Sequence, residues 1–173
     1  MFNAKFESQD GYDKGIGELV YMLQHTRMMT EFEVAELTDK QLDYLLDPTS
    51  NSIGMLLQHI ASIEFLHQVM SFEERMMNEE EEKEWMAAMQ LGERGREEIK
   101  NFTVDDYLQK LKHVREETYN FLKQQEDEWL YKEQQFPDGT PYNNYFLWFH
   151  VLEDEISHRG QIKLIKRHLE ANA

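Results

Sequence analysis

With 173 residues, 40% of them hydrophobic and twenty-one of them Trp, Tyr or Phe, the chain is long enough for one domain, spanning 1–173, with a substantial core. Its formal net charge of −16 repels phosphate backbones and anionic headgroups, which excludes nucleic acid and membrane surfaces as expected partners. With no cysteine it has no disulfide, no thiolate ligand and no cysteine nucleophile, so any metal must be held by His, Asp or Glu.

The N-terminal stretch MFNAKFESQDGYDK lacks the apolar segment of a signal peptide. No apolar run approaches the roughly 18–20 residues that span a bilayer, so a cytoplasmic protein is expected. Proline occurs only at Pro48, Pro137 and Pro141, and the apolar residues between them recur at helical spacing, which predicts an all-α protein. The first helix is marked by Ile16, Val20, Leu23, Thr30, Val34 and Leu37, a stripe interrupted by Arg27, and should cover about residues 12–36.

Thr38 with Gln41 forms a capping-box pattern for a short turn that Asp47-Pro48 ends. Ser52 then caps a second helix, striped by Leu56, His59, Ile63, Leu66 and Met70 and ending near Met70. Residues 71–102, with the acidic run Glu79 to Glu82 and two glycines, read as a long connection containing a short helix. A connection of that length lets the following helix run parallel to the one before, so the bundle is not a simple up-down-up-down arrangement. The methionines of this connection are expected to pack it, and the acidic run to be solvated.

Thr103 and Asp106 start a third helix, faced by Leu108, Leu111, Val114, Phe121 and Leu122 and ending near Gln125. Pro137-Asp138-Gly139 signals a turn, and a final helix follows from about Asn143 to Glu170. There is no internal repeat.

The final helix carries the stripe Leu147, Val151, Asp154, His158, Ile162, Ile165, Leu169, with two polar residues in core positions. Burying a carboxylate without a partner costs several kcal/mol, so Asp154 must be paired, protonated or bound to a cation. His158, one turn on, lies on the same face, and His59 occupies the matching place on the second helix. Spacing alone leaves two readings open: a buried ion pair, with His59 an ordinary core histidine, or a metal site built by His59, Asp154 and His158. Two imidazoles and a carboxylate suit Zn, Ni, Fe or Mn and leave coordination positions for water or substrate.

The segments Ser52-Ile-Gly-Met-Leu-Leu-Gln-His59-Ile and His150-Val-Leu-Glu-Asp-Glu-Ile-Ser-His-Arg-Gly-Gln-Ile162 resemble the DinB-like (DinB/YfiT) superfamily, most specifically in the His-Arg-Gly-Gln ending. The resemblance extends in helix order over nearly the whole chain. It implies a four-helix bundle with a long crossover between its second and third helices. It also implies a metal triad, one histidine on the second helix and two spaced i,i+4 on the last, falling on His59, position 154 and His158. Asp154 replaces the middle histidine, which bears on ligand strength and metal preference.

Related bundles include S-transferases and isomerases that use low-molecular-weight thiols such as bacillithiol or mycothiol. The resemblance therefore implies transfer of such a thiol to an electrophilic small molecule. From their positions, His150, one turn before Asp154, is a candidate fourth ligand or donor to the site, Arg159 and Gln161 beside His158 are candidates to orient substrate, and Arg27 is a candidate anion clamp or partner of Asp154; Glu153, Glu155 or Arg27 would assist proton transfer or orientation. A metal-dependent hydrolase and a non-catalytic, stress-related bundle are the rival readings. Gly160 is expected to allow close approach of a neighbour. Trp148 and Phe149, off the inward stripe, suggest a homodimer.

Overall fold

The computed structural model describes residues 5–172. Its four long helices each begin at a side-chain cap that satisfies otherwise unpaired backbone N–H groups. Helix α1 (Lys14–Val34) starts at Asp13, and α3 (Ile53–Phe72) at Ser52, whose Oγ accepts from the Met55 N–H at 3.2 Å. Helix α6 (Val104–Leu122) starts at a capping box of Thr103 and Asp106, and α7 (Asn144–Ala171) at Asn143, which accepts from the Phe146 N–H at 2.9 Å. The short helix α2 (Asp39–Leu42) carries the expected Thr38–Gln41 box.

Cross-helix contacts fix the directions. Arg159 donates to the Thr26 carbonyl and Lys166 pairs with Glu33, so α1 and α7 run parallel. Trp148 meets Ser71 while His158 and Asp154 meet His59, so α3 is antiparallel to α7. Tyr107 packs on Gly54 and Arg115 pairs with Glu64, so α3 and α6 run parallel, as the long connection requires.

That connection holds two helices where one is expected: α4 (Glu79–Gln90) and α5 (Gly92–Glu98), separated at Leu91 and Gly92, which take φ of 55° and 62°. The acidic run, largely solvated as expected, forms the first turn of α4, capped by Asn78 and favoured by the helix dipole. Met77 and Met89 pack on the core, whereas Met76 is exposed.

Between α6 and α7 lie a 3-10 turn (Asp127–Tyr131) and a small antiparallel hairpin, β1 (Glu133–Gln135) and β2 (Pro141–Asn143), with Gln134 opposite Tyr142. The expected turn closes this hairpin, with Gly139 at φ 85°. Phe136 and Tyr142 then pack with Leu66, Met70 and Leu147 at one end of the α3/α7 seam.

The four long helices are pinned at the centre by a buried network. Arg27 pairs with Glu155 at 3.0 Å and Glu64 at 3.1 Å, and Arg115 with Glu64 at 2.6 Å and Glu155 at 3.1 Å. The remaining guanidinium N–H groups donate to the carbonyls of Leu111 and Leu23, and Thr118 donates to Glu64 at 2.7 Å. Two cations and two carboxylates thus satisfy one another, one residue from each helix. Trp148 is also buried rather than surface-facing, because α7 buries a second stripe of Trp148, Leu152 and Glu155 beside the anticipated one.

Candidate metal centre

The α3/α7 seam carries the polar residues that interrupt both apolar stripes. His59 sits in the second turn of α3 and Asp154 and His158 midway along α7, so the antiparallel packing brings them level. His59 Nε2 lies 3.5 Å from Asp154 Oδ1 and His158 Nε2 lies 3.3 Å from the same oxygen. The two imidazoles meet edge-on at 4.7 Å and 77°. One ligand atom from each of the three residues lies within 4.8 Å of the others, and this is the one such group of His, Asp or Glu among the described residues.

Local hydrogen bonding orients the set. The α4 carbonyl of Ala88 is 2.9 Å from His59 Nδ1, so Nδ1 carries the proton and Nε2 offers its lone pair inward. Burial opposes protonation of His59, but the protonated ring gains a hydrogen bond from Nε2 to Asp154, which outweighs it and raises the pKa. Burial would likewise raise the Asp154 carboxyl, yet hydrogen bonds from His158 and His59 hold it well below the usual carboxylate range.

Asp154 Oδ2 and His158 Nδ1 are both buried and make no hydrogen bond. With Oδ1 against two imidazoles and the other carboxylate oxygen buried and unpaired, the residues present fit a divalent metal with an N,N,O donor set. The side chains of the three are only 11–14% exposed, which keeps the centre shielded but reachable.

The neighbours expected at this centre are distributed otherwise. Arg27 pairs with Glu155 and Glu64 rather than Asp154, and Glu155 is sealed in the same network, so neither faces the triad. Arg159 fastens α7 to α1 through the Thr26 carbonyl, and Gln161 is exposed. Gly160 faces open space, so no neighbour explains its lack of a side chain. His150, 42% exposed in its side chain, lies 3.5 Å from Glu153 and one turn before Asp154; it is a rim residue.

Two participants escape the sequence. The Ala88 carbonyl is backbone from a connection whose path no side-chain pattern reveals. His67, which has no partner in the sequence, makes a tilted ring contact with His150 at 5.4 Å and 51°.

Solved structures share this helical-bundle fold. The chain is similar to a conserved protein from Enterococcus faecalis (TM-score 0.66, 14% identity, 86% of this chain and 93% of that one). It is similar also to a DinB-like protein from Bacillus cereus (TM-score 0.60, 15% identity, 88% and 91%). No curated protein matches the sequence. The mycothiol-S-transferase family model matches residues 18–171, and the chain belongs to that family.

Proposed function

We propose that this chain is a metal-dependent transferase that joins a low-molecular-weight thiol to an electrophilic small molecule. The observation that carries the reading is the triad itself: His59, Asp154 and His158 converge while an Asp154 oxygen and a His158 nitrogen stay buried and unpaired. Membership of a family described by mycothiol S-transfer supports the thiol as the other substrate.

The protein has no cysteine, so sulfur must arrive with a substrate. His59, Asp154 and His158 would hold a divalent cation, which when bound would lower the pKa of a thiol so that thiolate would predominate at neutral pH. The chain's own residues hold the site for that chemistry. The Ala88 carbonyl fixes the tautomer and angle of His59, and Asp154 supplies the negative charge that makes a divalent ion favourable between two imidazoles. The thiolate forms the new S–C bond, the electrophile's leaving group departs with the C–X electron pair, and the thiol proton passes to solvent.

A second face of α7 supports a homodimer. Phe149 (53% exposed) and Ile156 (50%) border an apolar cavity of about 620 Å³ between α1 and α7, on the other side of the helix from the triad. No helix among the described residues is long and apolar enough to cross a membrane, which accords with a cytoplasmic enzyme.

The test is conjugation of bacillithiol or mycothiol to 1-chloro-2,4-dinitrobenzene by metal-loaded protein. Wild type should turn over with one of these thiols, whereas His59→Ala and His158→Ala should fall to background. Metal-loaded wild type with no thiol-dependent turnover across a panel of electrophiles contradicts the reading.

A further inference from the structure

Helix α7 turns a third stripe to solvent, beside the two it buries. Phe146, Phe149, Ile156 and Leu164 lie on it, each half-exposed or more, and at 3.6 residues per turn all four fall within about 40° of one line. Large apolar side chains in line along a helix mark a contact face. Gly160 stands at the centre of this stripe, between Ile156 and Leu164, with open space where a side chain would be. Glycine weakens a helix interior, but it lets a second backbone approach to the short end of the helix-packing range.

The stripe is symmetric about that glycine. Ile156 stands four residues before it and Leu164 four after; Glu153 stands seven before and Arg167 seven after; Phe149 stands eleven before and Ala171 eleven after. The inner pair matches apolar with apolar, the next matches opposite charges, and the outer pair matches large with small. A two-fold axis at Gly160 between antiparallel copies of α7 brings the members of each pair level with one another. Arg167 makes no ion pair among the described residues, and Glu153 makes only an exposed contact with His150 at 3.5 Å. A chain of net charge −16 repels its own copy, whereas on this stripe the register sets two Glu153–Arg167 pairs in each dimer.

The same register fills the cavity of about 620 Å³ between α1 and α7. The Arg159–Thr26 bond and the Lys166–Glu33 pair set the two helices in step, so Phe32, 75% exposed and two turns beyond His25, stands at the level of Leu164. With α7 antiparallel to its copy, Leu164 and Phe32 of one copy come level with the cavity of the other, which His25, Phe149 and Ile156 border.

We infer that a second copy of this chain docks antiparallel on α7, with the two-fold axis at Gly160 and with Leu164 and Phe32 of each copy covering the α1/α7 cavity of the other. This rests on the homodimer reading above and adds its register. Asp154 and His158 lie on the other side of α7, so the contact neither covers nor completes a triad.

The chain has no cysteine, so one introduced thiol reports the axis. Only a residue on a two-fold axis meets itself, and a disulfide needs Cα atoms within about 7 Å. Gly160→Cys should oxidise to a covalent dimer, whereas Gln161→Cys, exposed but about 100° round the helix, should not. The second measurement is the dimer dissociation constant by sedimentation. Glu153→Arg and Arg167→Glu each oppose like charges twice per dimer and should each weaken it about tenfold, and Glu153→Arg/Arg167→Glu together should restore wild-type affinity. Should Gly160→Cys fail to fold, the charge swap decides alone. A wild-type dimer in which Gly160→Cys stays uncrosslinked, or in which the double variant is no tighter than the single ones, overturns the register and leaves the homodimer standing. A wild type that sediments as a monomer throughout overturns both.

Discussion

At the scale of single residues, the physics turns on whether a buried polar atom has a partner. Asp154 is the test within the triad: Asp154→His restores the two-imidazole pair on one helix turn and should keep metal binding with altered metal preference, whereas Asp154→Leu should abolish it. Competitive loading with zinc, nickel and manganese followed by elemental analysis checks both outcomes. His67 gives a separate pH signature. Its folded-state pKa of about 4 lies below the ordinary 6.5, so the unfolded chain binds more protons across that window and stability rises with pH through it. Acidification from pH 7 to 4 should therefore cost up to ~3 kcal/mol through this residue. Urea unfolding of wild type and His67→Phe across that range reads the effect, which should vanish in the variant. Asp154 has the opposite kind of depressed group, a carboxylate, and its contribution is lost only as pH falls below the usual carboxylate range, so the two do not overlap in pH.

At the scale of elements, the central network decides how the four helices register. Removing one member leaves an uncompensated buried charge, so Arg115→Met should destabilise by about 3–5 kcal/mol, measured by denaturant unfolding. Close packing of α3 on α6 makes a second prediction. A Cβ at Gly54 would lie 2.3 Å from the Tyr107 hydroxyl, itself buried and unpaired, so Gly54→Ala should cost about 1–3 kcal/mol, with partial recovery in Gly54→Ala/Tyr107→Phe. The helices themselves were legible from caps and stripes: Ser52, Thr103 with Asp106, and Thr38 with Gln41 each start a helix where the sequence says. Glu64, Glu155 and Arg115 were not legible as a network, because a charged residue reads as solvated unless its partners on three other helices are known. The hairpin is not legible because two three-residue strands are too short to show alternation. The burial of Trp148 is not legible from one inward stripe, because α7 packs on two sides.

At the scale of the whole molecule, the bundle places the three candidate metal ligands on one side of α7 and an apolar groove on the other. The groove predicts that Phe149→Glu or Ile156→Glu shifts a dimer to monomer in sedimentation without loss of bound metal. The triad was legible in part: His59, Asp154 and His158 stand out as polar residues in apolar stripes, but their convergence depends on antiparallel packing that spacing cannot fix. Metal bound to the folded state alone should stabilise the molecule by ~2.7 kcal/mol at a hundredfold excess over its dissociation constant. For a chain of this length that corresponds to a rise in Tm of about 5–10 °C.

The most direct measurement is the metal content of purified wild type, His59→Ala and His158→Ala after incubation with one divalent metal and gel filtration. Wild type should retain about one equivalent per chain and each variant almost none, with the rise in Tm confined to wild type. Equal metal content in all three proteins would contradict the assignment of His59, Asp154 and His158 as the metal centre.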